Sequence, residues 1–214
     1  MDGSIEVITG CMFAGKTTAL IQVLTAPQLS SSQQRCIGIK HATDTRYGST
    51  LRSHDGHVFS AAYAKSAMEM LLAVEHSHHI VGIDEAQCFG TDLADACKVL
   101  RESGRKVIAC GLDVDAYGAP FPTMQALMKV ADHVRYLRPA CKQCGAAATF
   151  SQRISPVIDG NLMNGTAADF EPRCADCFVP LARVENPRDA EAGSGNLPHK
   201  DEVQVGNMHG GSGA

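Results

Sequence analysis

Short apolar runs alternating with helical patterns predict an α/β fold, a mostly parallel sheet covered on both faces. Three observations carry that prediction. Strand-like runs recur at Ser4–Thr9, Arg35–Lys40, His79–Asp84 and Lys106–Leu112; helical periodicity fills the gaps; and the first strand runs straight into GCMFAGKTT, residues 10–18. After about Arg138 the texture changes to Cys pairs and Gly- and Asn-rich sequence, which predicts a small second unit.

Ser4 to Thr9 alternates apolar and β-branched residues, as a strand does. From Lys16 to Thr25 a helix is predicted, with Ala19, Leu20, Val23 and Leu24 at helical spacing. Two further helices are predicted at about Ala64–Val74 and Asp92–Glu102. The expected layout is a nucleotide-binding α/β domain over 1–138, a metal-binding subdomain over 139–179 and a disordered tail over 180–214. That tail is rich in Pro, Gly, Ser and charge and ends MHGGSGA.

Hydrophobic residues make up 44% of the 214 and charged residues 20%, enough to bury a sizeable core. A net charge of −4 and a pI near 6.1 speak against electrostatic binding to nucleic acid or membrane. No apolar run approaches the ~20 residues of a membrane span, and the N-terminus lacks the parts of a signal peptide. A cytoplasmic protein is expected. In a reducing compartment its nine cysteines point away from disulfides and toward metal.

Gly10, Gly15, Lys16 and Thr17 stand at the spacing G-x-x-x-x-G-K-T. Phosphates carry concentrated negative charge, and such a loop meets it with backbone N–H groups at a helix N-terminus. The glycines permit the tight wrap, Lys16 reaches the β/γ phosphates, and the Thr17 hydroxyl ligates Mg²⁺. VGIDEAQ, residues 81–87, ends a strand in two carboxylates at the sheet edge where ligands bind. Asp84 is assigned to organising Mg²⁺ through water and Glu85 to taking a proton from an acceptor hydroxyl.

Cys141-x-x-Cys144 and Cys174-x-x-Cys177 suit a closed, structural Zn²⁺ site. Residues 145–173 between them exceed the usual ~15–20, so a tethered loop is expected rather than a compact ribbon. An iron–sulfur cluster or a redox pair is the alternative for the same pattern. Cys11, Cys36, Cys88, Cys97 and Cys110 are isolated and read as buried, inert thiols.

Taken in order, GCMFAGKTT, IKHATDTRYG with SHDG at 53–56, IDEAQ, CGLD followed by GAPF, the first CxxC and GTAADFEPRCADC form a series. From about Glu6 to Phe178 the chain resembles the type II thymidine kinases, zinc-bearing deoxynucleoside kinases distinct in fold from the herpesvirus-type enzymes. The resemblance implies a RecA-like core and a zinc-anchored subdomain whose lasso-like loop closes over the nucleoside. It implies transfer of the ATP γ-phosphate to the 5′-hydroxyl of thymidine, giving dTMP. Gly10, Cys11, Met12, Phe13, Ala14, Gly15, Lys16 and Thr17 then match the phosphate site, with Asp84, Asp44 and Arg46 beside it and Glu85 as general base. Met12, Cys88, Leu112, Ala116 and Phe121 match the nucleoside pocket, and Gly165, Thr166, Ala167, Ala168, Asp169 and Phe170 the lasso. Cys141, Cys144, Cys174 and Cys177 match the zinc ligands. A homotetramer and feedback inhibition by dTTP are further implications.

The chain departs from the family pattern in the acceptor pocket. Cys88 and Ala116 stand where aromatic residues are usual, and Phe170 where a Tyr is usual. One reading is compensation, with Tyr117 or Phe89 supplying the missing ring. The other is a pocket that accepts a 5-substituted deoxyuridine bulkier than thymidine. Two rival functions are an ATP-binding regulatory protein with a degenerate acceptor pocket and a zinc-ribbon nucleic-acid binder. The latter is disfavoured by the acidic charge.

Overall fold

The computed structural model describes residues 2–29, 33–44, 48–155 and 167–181. Arg46, Gly165, Thr166 and nearly all of the predicted tail lie outside them. Seven strands form the main sheet: β1 (Ser4–Thr9), β2 (Arg35–His41), β3 (Thr50–Arg52), β4 (Val58–Ala64), β5 (His78–Asp84), β6 (Lys106–Gly111) and β7 (His133–Tyr136). Their order is β3-β4-β2-β5-β6-β1-β7, and only β3 runs antiparallel, as an edge hairpin with β4. Four α-helices pack on it: α1 (Lys16–Leu29), α2 (Ala67–Ala73), α3 (Leu93–Glu102) and α4 (Pro122–Val130). Among the described residues no helix is long and apolar enough to cross a membrane.

Strand alternation sorts the core into two halves. Ile5 and Val7 of β1, Val81 and Ile83 of β5, and Val107 and Ala109 of β6 face the side covered by α2, α3 and α4. Ile8, Ile80, Ile108 and Cys110 face the other way, onto Leu20, Ile21 and Leu24 of α1. There Gly82 of β5 lets α1 close in, since a Cβ would lie 2.7 Å from Leu24 Cδ1 and 2.9 Å from Leu20 Cδ1. One helix therefore covers a whole face of the sheet's centre.

The predicted strands and helices are all present. α1 continues four residues past the predicted end, with Pro27 inside its last turn, where one lost backbone bond is tolerated. α2 starts later than predicted because β4 runs to Ala64. Ser66 then caps α2, its Oγ accepting the Glu69 N–H at 3.2 Å, while Glu69 accepts the Lys65 N–H. β3, β4, α4, β7 and the strands of the small unit were not among the predicted elements. In β4, VFSAAYA is largely small residues, and neither half reads as a core strand without its neighbours.

The small unit is a two-stranded antiparallel sheet, β8 (Phe150–Arg153) with β9 (Phe170–Arg173), flanked by the two Cys pairs. Each pair forms a tight turn. Gly145 donates to Cys141 O at 2.9 Å with a φ of 78°, and Phe178 donates to Cys174 O at 3.0 Å.

Candidate active site

β1 and β5 carry the two motifs, and β6 lies between them. Their C-terminal ends therefore bring the glycine loop and the Asp84–Glu85 pair to one sheet edge. Gly10 has a φ of 143°, and a Cβ there would lie 2.1 Å from Leu137 O, so only glycine fits. The next turn places Phe13 in the left-handed region, its ring 5.6 Å from that of His54. Gly15, at a φ of 82°, hands the chain to α1, whose first N–H groups lack intrahelical partners. Lys16 Nζ folds back over the loop and donates to Gly10 O at 2.9 Å and Cys11 O at 2.8 Å.

Thr17 donates its hydroxyl to Asp84 Oδ2 at 3.1 Å, joining the two motifs directly. Asp84 is 7% exposed. Burial, with the Glu85 charge beside it, pushes its carboxyl up to about 6. A buried carboxylate next to a threonine hydroxyl is a donor set that suits a hard divalent cation such as Mg²⁺. Glu85 then turns through the left-handed region, at φ 50° and ψ 43°. Its Oε2 accepts from Gln87 Nε2 at 2.6 Å, while Gln87 Oε1 accepts the Leu112 N–H at 3.1 Å. Adjacent acids thus serve different partners, and a non-glycine residue in that conformation costs about 1–3 kcal/mol.

The turn 113–121 carries Ala116 and Phe121. Asp115 Oδ1 accepts from both Tyr117 N–H (2.9 Å) and Ala119 N–H (2.8 Å), and Phe121 donates to Asp113 O at 2.9 Å. Gly118 presses on Phe178, which stacks on Phe150 with ring centroids 4.3 Å apart. Ala116 is buried, while Met12, Cys88, Leu112 and Phe121 are half-buried. Phe89 is committed to the core, edge-on to His41 at 4.7 Å, so it does not replace a ring at position 88. In the short helical turn Ala167–Asp169 the described part of the lasso stretch begins. Phe170 follows in β9 with the Arg153 guanidinium 5.4 Å over its ring. Asp44 is ion-paired at 3.3 Å with Lys40, whose side chain is fully buried.

The four Sγ atoms of Cys141, Cys144, Cys174 and Cys177 all lie within 4.8 Å of one another, Cys144 and Cys174 at 3.5 Å. Tetrahedral thiolates around zinc stand about 3.8 Å apart, so the cluster fits such an ion. A family model described as thymidine kinase matches residues 3–178. The chain belongs to the thymidine kinase family. It is 41% identical to a protein named thymidine kinase from Rhodothermus sp. (strain ITI 518), covering 83% of this chain and 82% of that one. Identity is 40% with the Bacteroides fragilis (strain YCH46) thymidine kinase, over 82% and 87%. With the Halobacterium salinarum (strain ATCC 29341 / DSM 671 / R1) thymidine kinase it is 35%, over 83% and 94%.

Several residues around this thymidine kinase site escaped the sequence reading. Cys110, read as an inert thiol, donates its S–H to Asp84 Oδ1 at 2.9 Å. Gln87 lies inside the quoted IDEAQ motif, but its clamp on Glu85 needs the end of β6, far along the chain. Asp113 Oδ1 is buried with no hydrogen-bond partner among the described residues. Ser151 reaches the glycine loop from β8, accepting the Met12 N–H at 2.9 Å.

Proposed function

We propose that the protein transfers the γ-phosphate of ATP to the 5′-hydroxyl of thymidine, with Glu85 as general base. The observation that carries the reading is that Asp84 and Glu85 have different hydrogen-bond partners. Asp84 accepts from Thr17 beside the phosphate loop, while Gln87 clamps Glu85. Glu85 takes the proton from the 5′-hydroxyl as that oxygen bonds to the γ-phosphorus and the bond to the β-phosphate oxygen breaks, releasing ADP. Lys16, freed from the Gly10 and Cys11 carbonyls, and the N–H groups at the start of α1 neutralise charge on the phosphates. Mg²⁺ at Thr17 and Asp84 supplies further positive charge when bound. Arg46 and Asp44 belong beside the phosphates in the same reading, and residues 165–170 over the nucleoside.

Met12, Cys88, Leu112, Ala116 and Phe121 line the acceptor pocket in this reading. Its rim lacks two rings, and the core position of Phe89 leaves only Tyr117 to compensate. A bulkier pyrimidine 5-substituent is therefore accommodated. Zn²⁺ occupies the four cysteines and holds the lasso's base, dTTP acts as feedback inhibitor, the assembly is a homotetramer, and the compartment is the cytoplasm.

Turnover with ATP and a panel of deoxynucleosides tests the proposal. Thymidine and 5-iododeoxyuridine are expected within about tenfold of each other in kcat/KM, below the about 10–200-fold by which a tight apolar pocket discriminates one methylene. Glu85→Gln is expected to lower kcat by about 10²–10⁴-fold with ATP binding intact. Near-normal turnover in that variant removes Glu85 as base. Turnover absent from the wild type with every nucleoside would favour the regulatory-protein alternative.

A further inference from the structure

The glycine loop and the four-cysteine site touch each other. Cys11, second residue of the loop, is 1% exposed and clusters with Cys141, Ala148 and Cys174. Its thiol points at Ala148 O, 3.8 Å away. The next residue, Met12, gives its backbone N–H to Ser151 Oγ at 2.9 Å, and Ser151 is itself 3% exposed in β8. Just before them, Gly10 lies against Leu137 O, and Leu137 donates to Thr9 O at 2.8 Å. Three consecutive loop residues therefore lean on 137–151, the stretch that contains the first Cys pair.

An N–H already given to a side chain is not offered to phosphate. The Met12 N–H is thus a strut that sets the loop's stem, leaving the groups at the start of α1 to converge on a ligand. Whatever firms up 137–151 firms up the stem, and the influence runs equally in reverse.

We propose that Ser151 is a positioning residue for the phosphate loop, and that through it phosphate binding and metal retention at the four cysteines are linked. This rests on the phosphate- and zinc-site readings given above. A nucleotide in the loop holds the stem against Ser151 and Cys11 and slows escape of the metal. Loss of the metal frees the stem and weakens nucleotide binding, by the factor by which the nucleotide raises metal affinity.

The test uses the full chain loaded with Zn²⁺ and an excess of a metallochromic chelator. Release is followed with and without β,γ-imido-ATP and excess Mg²⁺, no acceptor being present. The analogue is expected to slow release about fivefold or more. In Ser151→Ala that protection falls below twofold, and KM for ATP rises more than kcat falls. Ser151→Thr keeps the hydroxyl and restores both. An analogue that binds the wild type without slowing release overturns the proposal alone, as does protection that survives in Ser151→Ala. An analogue that does not bind overturns it together with the phosphate-site reading.

Discussion

At the scale of single residues, the site is built against its own stability. Asp84 is buried and negatively charged at neutral pH with no ion pair among the described residues, its partners there being Thr17, Cys110 and a backbone N–H. Its carboxyl is raised from 3.8 to about 6, so the folded state holds the proton more tightly than the unfolded chain. The stability this group contributes is complete below about pH 4 and is lost as pH rises through 6. Asp84→Asn should therefore match the wild type near pH 4. Without nucleotide or Mg²⁺ it should exceed it above pH 7 by about 2–3 kcal/mol, while phosphoryl transfer falls. Denaturant titrations of both proteins across that range check it. Cys110→Ser keeps a donor to Asp84 Oδ1, whereas Cys110→Ala removes it. The alanine variant should be less stable than the serine one by about 1 kcal/mol, read from the same titrations.

Glycine positions, lysine and paired acids at fixed spacing made the glycine loop and the Asp84–Glu85 pair stand out in the sequence. Each motif is contiguous, and its chemistry needs those residue types at that spacing. The residues that orient them were not legible, because their partners are remote. Met12 and Ser151 are 139 positions apart, and Asp84 and Cys110 are 26 apart. Nothing in a serine or a cysteine signals such a partner. The turn 113–121 was legible only through the family resemblance, and its docking on Phe178, which stacks on Phe150, comes from residues remote in the chain.

At the scale of elements, the strands of the sheet's centre were legible because they are continuous apolar runs. β4 and β7 were not, since edge-side strands bury less and read as mixed sequence. α1 shows how strongly one contact can matter. Among the described helices it is the one that covers the face formed by Ile8, Ile80, Ile108 and Cys110, and Gly82 sets how close it lies. Gly82→Ala should push α1 outward and cost about 1–3 kcal/mol. The displaced helix carries Lys16 and Thr17, so ATP affinity should fall in the same variant, as calorimetry can measure. A loss of stability with ATP affinity unchanged would show that the helix N-terminus is held by the loop rather than by packing.

At the scale of the whole molecule, the two sheets depend on different physics. The seven-stranded sheet has two apolar faces, each with its own buried cluster. The β8–β9 pair has four residues per strand and a cluster made largely of cysteine. A two-stranded sheet of that size is marginal by itself, and a metal at the four cysteines, as proposed above, would add folding energy to its contacts with the glycine loop. Chelation should therefore abolish amide protection in 141–153 and 170–177 while β1, β5 and β6 stay protected. Hydrogen exchange followed by mass spectrometry reads this directly. Equal loss of protection in both sheets would mean one cooperative unit.

Strand β6 carries no residue of the acid pair or the glycine loop, yet its last two residues and the one that follows are each used. Cys110 meets Asp84, Gly111 O accepts the Thr9 hydroxyl at 3.0 Å, and the Leu112 N–H holds Gln87 and through it Glu85. A strand's register is a single variable: a slip by one residue moves all three together. Asp84, Thr9 at the foot of the glycine loop and, through Gln87, Glu85 are therefore indexed to one ruler. They are brought into alignment, or lose it, in the same folding event.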